Sequence, residues 1–171
     1  MSHRQNVEEN LQRFAEGIGL GELKLNEHGA CGLCFDDTMI VNIEYLEDDE
    51  AMVFVSSVKR LDPHNTDKAT LFEKLLFINL QHHSMQGAFL ALNHDKTEVL
   101  LINSMPGSLD YGSFESNLEK FVNTLEWCIA EADNDSDTPV DLSGKMSSGS
   151  SSNDLPKPPP GQPGGDMGIM V

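Results

Sequence analysis

From Leu71 to Leu80 the chain reads Leu-Phe-Glu-Lys-Leu-Leu-Phe-Ile-Asn-Leu, so seven of ten consecutive residues are large and apolar. The run sits in a segment with helical start signals. Turned at about 100° per residue, its apolar positions cover well over half of a cylinder. A surface helix needs one apolar stripe, whereas a helix this apolar must be covered on two sides. In a small domain a sheet takes one side, and a second copy of the chain takes the other. The run therefore predicts an obligate homodimer whose work is contact rather than chemistry.

Several function classes are excluded by charge. The net charge of −17 opposes nucleic acid, because phosphate binding needs a positive surface. It opposes anionic membranes for the same reason. Acidity instead keeps a sticky surface soluble and suits basic or unfolded partners. No apolar run approaches the roughly 18–20 residues of a membrane span. The segment Met1–Asn6 lacks the apolar core of a signal peptide. The expectation is a cytoplasmic protein with three reduced cysteines and no membrane insertion.

Along the chain the periodicities predict an α+β fold: helix, three strands, helix, two strands, helix, with a twisted, mostly antiparallel sheet. Val7, Leu11, Phe14, Ala15 and Ile18 recur at helical spacing, with Asn6 a candidate cap and Gly17 and Gly19 ending the run. Cys31, Leu33 and Phe35 share one face of a first strand. Met39, Val41, Ile43 and Tyr45 alternate with polar residues, the pattern of a half-buried strand. Met52-Val53-Phe54-Val55 is apolar on both faces, so both need cover or one is a binding surface. The second helix is expected from about Asp67 to Ser84. Ala88–Leu92 pairs with Glu98–Ile102 as a hairpin across His94-Asp95-Lys96. A last helix carries Phe114, Leu118, Phe121, Val122, Leu125, Cys128 and Ile129.

The folded domain is expected over residues 1–132. Residues 133–171 show no helical or strand period and pass through Ser147–Ser152 to the proline-rich Pro156–Gly165. Such a composition cannot bury enough to offset its ordering entropy. The expectation is a disordered Ser/Pro/Gly-rich tail with polyproline II character near Pro158.

Catalytic patterns are missing. Cys31-Gly32-Leu33-Cys34 is the one CxxC, and on a strand residues three apart point to opposite faces. A redox CxxC normally opens a helix, where the dipole lowers a thiol pKa. His82 and His83 diverge by about 100° on a helix and do not share a metal easily. No nucleophile elbow, phosphate loop, zinc-helix motif or dinucleotide fingerprint is present. No catalytic residue, cofactor or metal is assigned.

The stretch Leu11-Gln12-Arg13-Phe14-Ala15-Glu16-Gly17-Ile18-Gly19 resembles the opening helix of the class I type III secretion chaperones, or Tir chaperone family. That helix commonly reads leucine, two variable residues and phenylalanine before a glycine-containing stop. The order of elements, the apolar helix at Leu71–Leu80, the size and the acidity are similar too, over about Val7 to Ala132. The proline-rich tail departs from the shorter members. The resemblance implies a bacterial, cytoplasmic homodimer that holds the N-terminal chaperone-binding segment of secreted effector proteins in extended form. The segment stays soluble and secretion-competent without ATP until the export machinery takes over, the export ATPase being a further partner. Carried over by position, effector contacts fall on Phe14, Ile18, Leu33, Phe35, Val53 and Val55. Dimer contacts fall on Leu76, Phe77, Leu80, Phe89 and Leu101. The face of the sheet that binds is left open. One alternative is a regulatory binding module that sequesters a transcriptional or secretion regulator through the same surface. A second is an enzyme with a metal held by His82, His94 and the cysteines.

Overall fold

The computed structural model describes residues 2–36, 38–64 and 68–134. The first helix, α1 (His3–Gly17), opens on a capping box. Ser2 Oγ accepts from the Gln5 amide at 3.2 Å, and Gln5 Oε1 accepts from the Ser2 amide at 3.0 Å. Two donors that a helix start leaves unpaired are thereby satisfied. Asn6, the expected cap, has another task. Its side-chain amide donates to the carbonyls of Gly107 and Leu109, and Asn10 donates to Leu109 one turn later. These bonds fasten α1 to the loop that ends the sheet.

Three antiparallel strands follow: β1 (Ala30–Phe35), β2 (Met39–Leu46) and β3 (Ala51–Arg60). In β2 the residues Met39, Val41, Ile43 and Tyr45 are all buried, so the alternation in the sequence marks the face. β3 runs well past the apolar core of four residues seen in the sequence, through Ser56 and Val58, with an irregularity near Ser57. Ser56 is buried, and its hydroxyl donates to the Ile40 carbonyl at 2.8 Å, which is how a polar residue is accommodated there.

The apolar run forms α2 (Ala69–Asn79) and then stops. A separate short helix, α3 (His82–Met85), follows after Leu80 and Gln81, in place of one helix to Ser84. The break falls beside Asn79, a poor helix former that bonds elsewhere. Its side chain accepts from the Leu90 amide at 2.8 Å and donates to the Leu90 carbonyl at 3.2 Å. β4 (Phe89–Leu92) is an edge strand, with β5 (Glu98–Pro106) inside it in the order β1-β2-β3-β5-β4, so Asn79 pairs backbone groups that would otherwise be exposed. β5 completes the sheet, which is antiparallel throughout. Gly107 then passes so close to β2 that a Cβ would meet the Tyr45 ring at 2.9 Å and the Glu50 carbonyl oxygen at 3.0 Å, and only glycine fits.

The final helix, α4 (Tyr111–Asp133), is capped by Asp110, whose carboxylate accepts from the Ser113 amide at 2.9 Å. Its far end carries no basic residue of its own. Lysines from two other elements reach it: Lys59 Nζ to the Ala132 carbonyl and Lys74 Nζ to the Asn134 carbonyl, both at 2.7 Å. Positive charge at a helix C-terminus is favourable against the dipole. The core lies between the helices and one face of the sheet, where Phe54 meets Phe121 and Phe114 edge-on at 5.5 and 6.1 Å. Asp67 and the tail from residue 135 lie outside the described residues, and with them the expected helix start and disordered segment.

Candidate functional site

On α2 the burial is two-faced. Leu75 and Ile78 enter the core, while Leu71 and Phe72 lie half-buried against it. Leu76, Phe77 and Leu80 point away, with 67%, 53% and 69% of their surfaces exposed. Their spacing, with Glu73 one turn earlier, makes a single stripe along the helix. Beside the stripe a cleft of about 250 Å³ opens between α2 and the edge of the sheet, lined by Phe72, Leu75, Leu76, Asn79, Leu90, Ala91, Leu92 and Val99. Nearly all of that lining is apolar carbon. Contiguous exposed apolar surface of this kind marks an interaction site.

A second surface lies across the molecule, where α1, β1 and α4 meet. A groove of about 360 Å³ is lined by Phe14, Phe35, Leu118, Val122 and Asn123, with Glu115 and Glu119 at its rim. Phe14 is held by an edge-on contact with Phe114 at 6.2 Å. Glu115 is oriented by the Tyr111 hydroxyl, which donates to it at 3.0 Å, and the Tyr111 ring carries the Arg13 guanidinium at 4.3 Å. The floor is apolar and the rim is negative. That combination receives an apolar segment that is neutral or basic and disfavours an acidic one.

The residues expected to bind partners distribute over these surfaces unevenly. Phe14 and Phe35 come together in the groove, and Ile18 stands exposed just beyond the end of α1. Val53 and Val55 belong to the other face of the sheet, since Met52 and Phe54, which alternate with them, enter the core. On that outer face Val55 pairs with Ile102, and Ile102 with Phe89, giving an apolar row across β3, β5 and β4. Phe89 is 46% exposed there. Three of the expected contacts offer little or no surface, and one of them, Val53, is buried although it stands on the outer face. Leu101 is fully buried and Leu33 nearly so, both in the chain's own core, because each faces the helices rather than the open side.

The groups with chemical potential are dispersed. Cys31 is half-buried on the core side of β1, and burial pushes its thiol up to about 11. Cys34 is exposed and Cys128 is buried in α4, its thiol raised to about 12 by burial and then by nearby Glu131. Raised values leave these two as neutral thiols near pH 7 and disfavour nucleophilic use. Among the described residues no group of three or more His, Cys, Asp or Glu side chains could hold a metal ion, and no helix is long and apolar enough to cross a membrane. Lys74 and Glu131 form a buried ion pair at 3.9 Å between α2 and α4, where it joins two elements rather than facing a cleft.

Sequence reasoning missed the wall that α4 contributes to the groove. Val122 next to Phe121 widens the helix's apolar stripe, which was the available signal. It also missed Leu23 and Leu25, buried in the connection between α1 and β1 without forming a strand. Ile102, Leu92 and Ala91 were assigned to the hairpin but not to a surface.

Comparison with known proteins adds a family. Residues 9–127 match the model of the Tir chaperone protein (CesT) family. A "Tir chaperone" of Escherichia coli O157:H7 is 25% identical over 124 residues, covering 72% of this chain and 73% of that protein. A "Tir chaperone" of Citrobacter freundii is 25% identical over 117 residues, covering 68% and 72%. Among solved structures, a chain of the "ExsC-ExsE Complex" superposes with a TM-score of 0.65 at 24% identity, covering 76% of this chain and 96% of that one. A chain of the "HopA1-SchA Chaperone-Effector Complex" gives 0.56 at 17% identity, covering 74% and 96%. At these identities the structural matches establish a shared fold.

Proposed function

Because the chain belongs to the Tir chaperone protein (CesT) family, we propose that it is a type III secretion chaperone. It binds the N-terminal segment of secreted effector proteins in extended form and keeps that segment soluble and competent for export. The observation that carries this reading is the surplus of apolar surface on a strongly acidic chain. Nine large hydrophobic side chains stand exposed among the described residues, from Ile18 just beyond α1 to Leu92 on β4.

Each surface has a separate role in the proposal. The stripe of Leu76, Phe77 and Leu80 closes against a second copy to give a homodimer, with Phe89 contributing from the outer face of the edge strand β4. The groove with Phe14 and Phe35 accepts apolar side chains of the client, and Ile18 extends it. β1 is an edge strand, and a client segment adds to it as a further strand, with alternate side chains falling into pockets. Val55 extends the contact over the outer face. Wrapping a long segment trades ordering entropy for area, so affinity per unit of buried surface is modest. The acidic rim and loops exclude acidic competitors and speed encounter with basic segments. Transfer to the export ATPase follows binding, in the bacterial cytoplasm, and no catalytic residue is assigned.

Affinity purification of the tagged chain from its own host tests the proposal. The expected result is a secreted protein bound through its N-terminal segment. Recovery of a transcriptional or secretion regulator, with no secreted protein, would turn the assignment to a sequestering module.

A further inference from the structure

The groove between α1, β1 and α4 has features that also appear, in complementary form, in the chain's own C-terminal stretch. Two phenylalanine rings and two aliphatic side chains form its floor, and Glu115 and Glu119 its rim. Grooves lined by aromatic side chains are suited to polyproline II segments, whose low chain entropy makes docking inexpensive. An acidic rim adds a preference for a basic residue within such a segment.

The sequence Leu155-Pro156-Lys157-Pro158-Pro159-Pro160 meets both demands, and Lys157 is the only charged residue between Asp154 and Asp166. Five residues of polyproline II extend about 15 Å at roughly 3.1 Å each. The groove follows α4 from Glu115 to Asn123, a length of about 12 Å at roughly 1.5 Å per residue. The reach also fits. From Glu119 to the end of α4 at Asp133 is about 21 Å along the helix axis. Residues 135–155 are rich in serine, glycine and aspartate, and a random coil of that length has a root-mean-square span of about 25 Å. Effective concentration is greatest when the linker's span matches the distance it must cover, and it then lies in the millimolar range.

We propose that Pro156–Pro160 docks in the groove of its own chain, with Lys157 facing Glu119 and the prolines over Phe14 and Phe35. The tail is then an internal placeholder on an apolar surface that would otherwise stand open. The docking itself does not depend on the client assignment. Where a client uses the same groove, the tail competes with it.

Methyl and aromatic NMR of the full chain, without any client, tests the docking. Replacing Pro158, Pro159 and Pro160 by alanine is expected to shift the signals of Phe14, Phe35 and Val122 while leaving those of Leu76 and Leu92 in place. Lys157→Glu should move the same signals in the same direction. Combining Lys157→Glu with Glu119→Lys should return them toward their wild-type positions, an exchange that general unfolding cannot mimic. Groove signals unchanged by the tail variants would overturn the proposal. Shifts that vanish on tenfold dilution would overturn it too, because they would place the tail in a neighbouring molecule. A client affinity that rises about threefold or more in Lys157→Glu would add the competition. An unchanged affinity would remove the competition and leave the docking to the NMR result.

Discussion

The exposed stripe on α2 makes a quantitative demand. Leu76 and Leu80 have 67% and 69% of their surfaces uncovered. Fully burying a leucine is worth about 1.5–3 kcal/mol, so the proposed closure of a second copy over the stripe would gain roughly 1–2 kcal/mol per side chain. The double variant Leu76→Ala/Leu80→Ala removes four such contributions from a symmetric dimer. Alanine keeps a small part, and area accounts overestimate, so the expected loss is about 3–6 kcal/mol. That weakens dimerisation by roughly 10²–10⁴-fold. The folded monomer should barely respond, because exposed positions usually change stability by no more than about 0.5 kcal/mol each. Sedimentation velocity across a dilution series reads the dissociation constant. Denaturant unfolding of the dissociated protein reads the fold. A dimer dissociating at the wild-type concentration would put the interface on another surface. A monomer destabilised by several kcal/mol would show that these leucines serve their own core.

Four further outcomes follow from named contacts. Phe77→Asp, or Leu80→Asp, should abolish the dimer and lower solubility, because the interface would bury a charge; a soluble dimer in light scattering would contradict the assignment. Leu101→Ala should cost about 2–5 kcal/mol of folding stability through the cavity left at a fully buried site, and a loss below about 1 kcal/mol in urea unfolding would show that the site collapses. Asn79→Ala should leave both backbone groups of Leu90 without their side-chain partner, and hydrogen exchange at Leu90 should accelerate while the centre of the sheet stays protected. For the thiols, Cys34 should alkylate first and Cys128 only on unfolding. Since Cys31 and Cys128 titrate higher in the folded chain, about 11 and about 12 against an ordinary 9.0, the unfolded chain binds fewer protons above pH 9. Stability should therefore fall as pH rises from about 9 toward 11–12, and a flat profile there would contradict the burial of these two groups.

Much of the fold was legible because its signals are local. The alternation of Met39, Val41, Ile43 and Tyr45 set the face of β2, and the stripe through Phe114, Leu118, Phe121 and Leu125 set α4. The break after Asn79 was not legible, since it depends on a bond to Leu90 that only the folded chain brings near. Asn6 was misjudged for the same reason: an asparagine near a helix start reads as a cap, whereas its partners at Gly107 and Leu109 are a hundred residues away. The open surfaces were half legible. An apolar excess at Leu76, Phe77 and Leu80 can be read from period alone. The groove cannot, because Phe14, Phe35 and Val122 come from three elements whose meeting is a tertiary event. Leu33 and Leu101 show the converse limit: an apolar strand residue declares that it is covered, but not by whom.

The most direct measurement is the molar mass by light scattering of the purified chain, alone and then co-expressed with the N-terminal segment of a protein secreted by the same cell. The account predicts twice 18.8 kDa for the chain alone and a further increment of mass with the segment bound. A mass of 18.8 kDa under both conditions, from a soluble and well-folded sample, would contradict it.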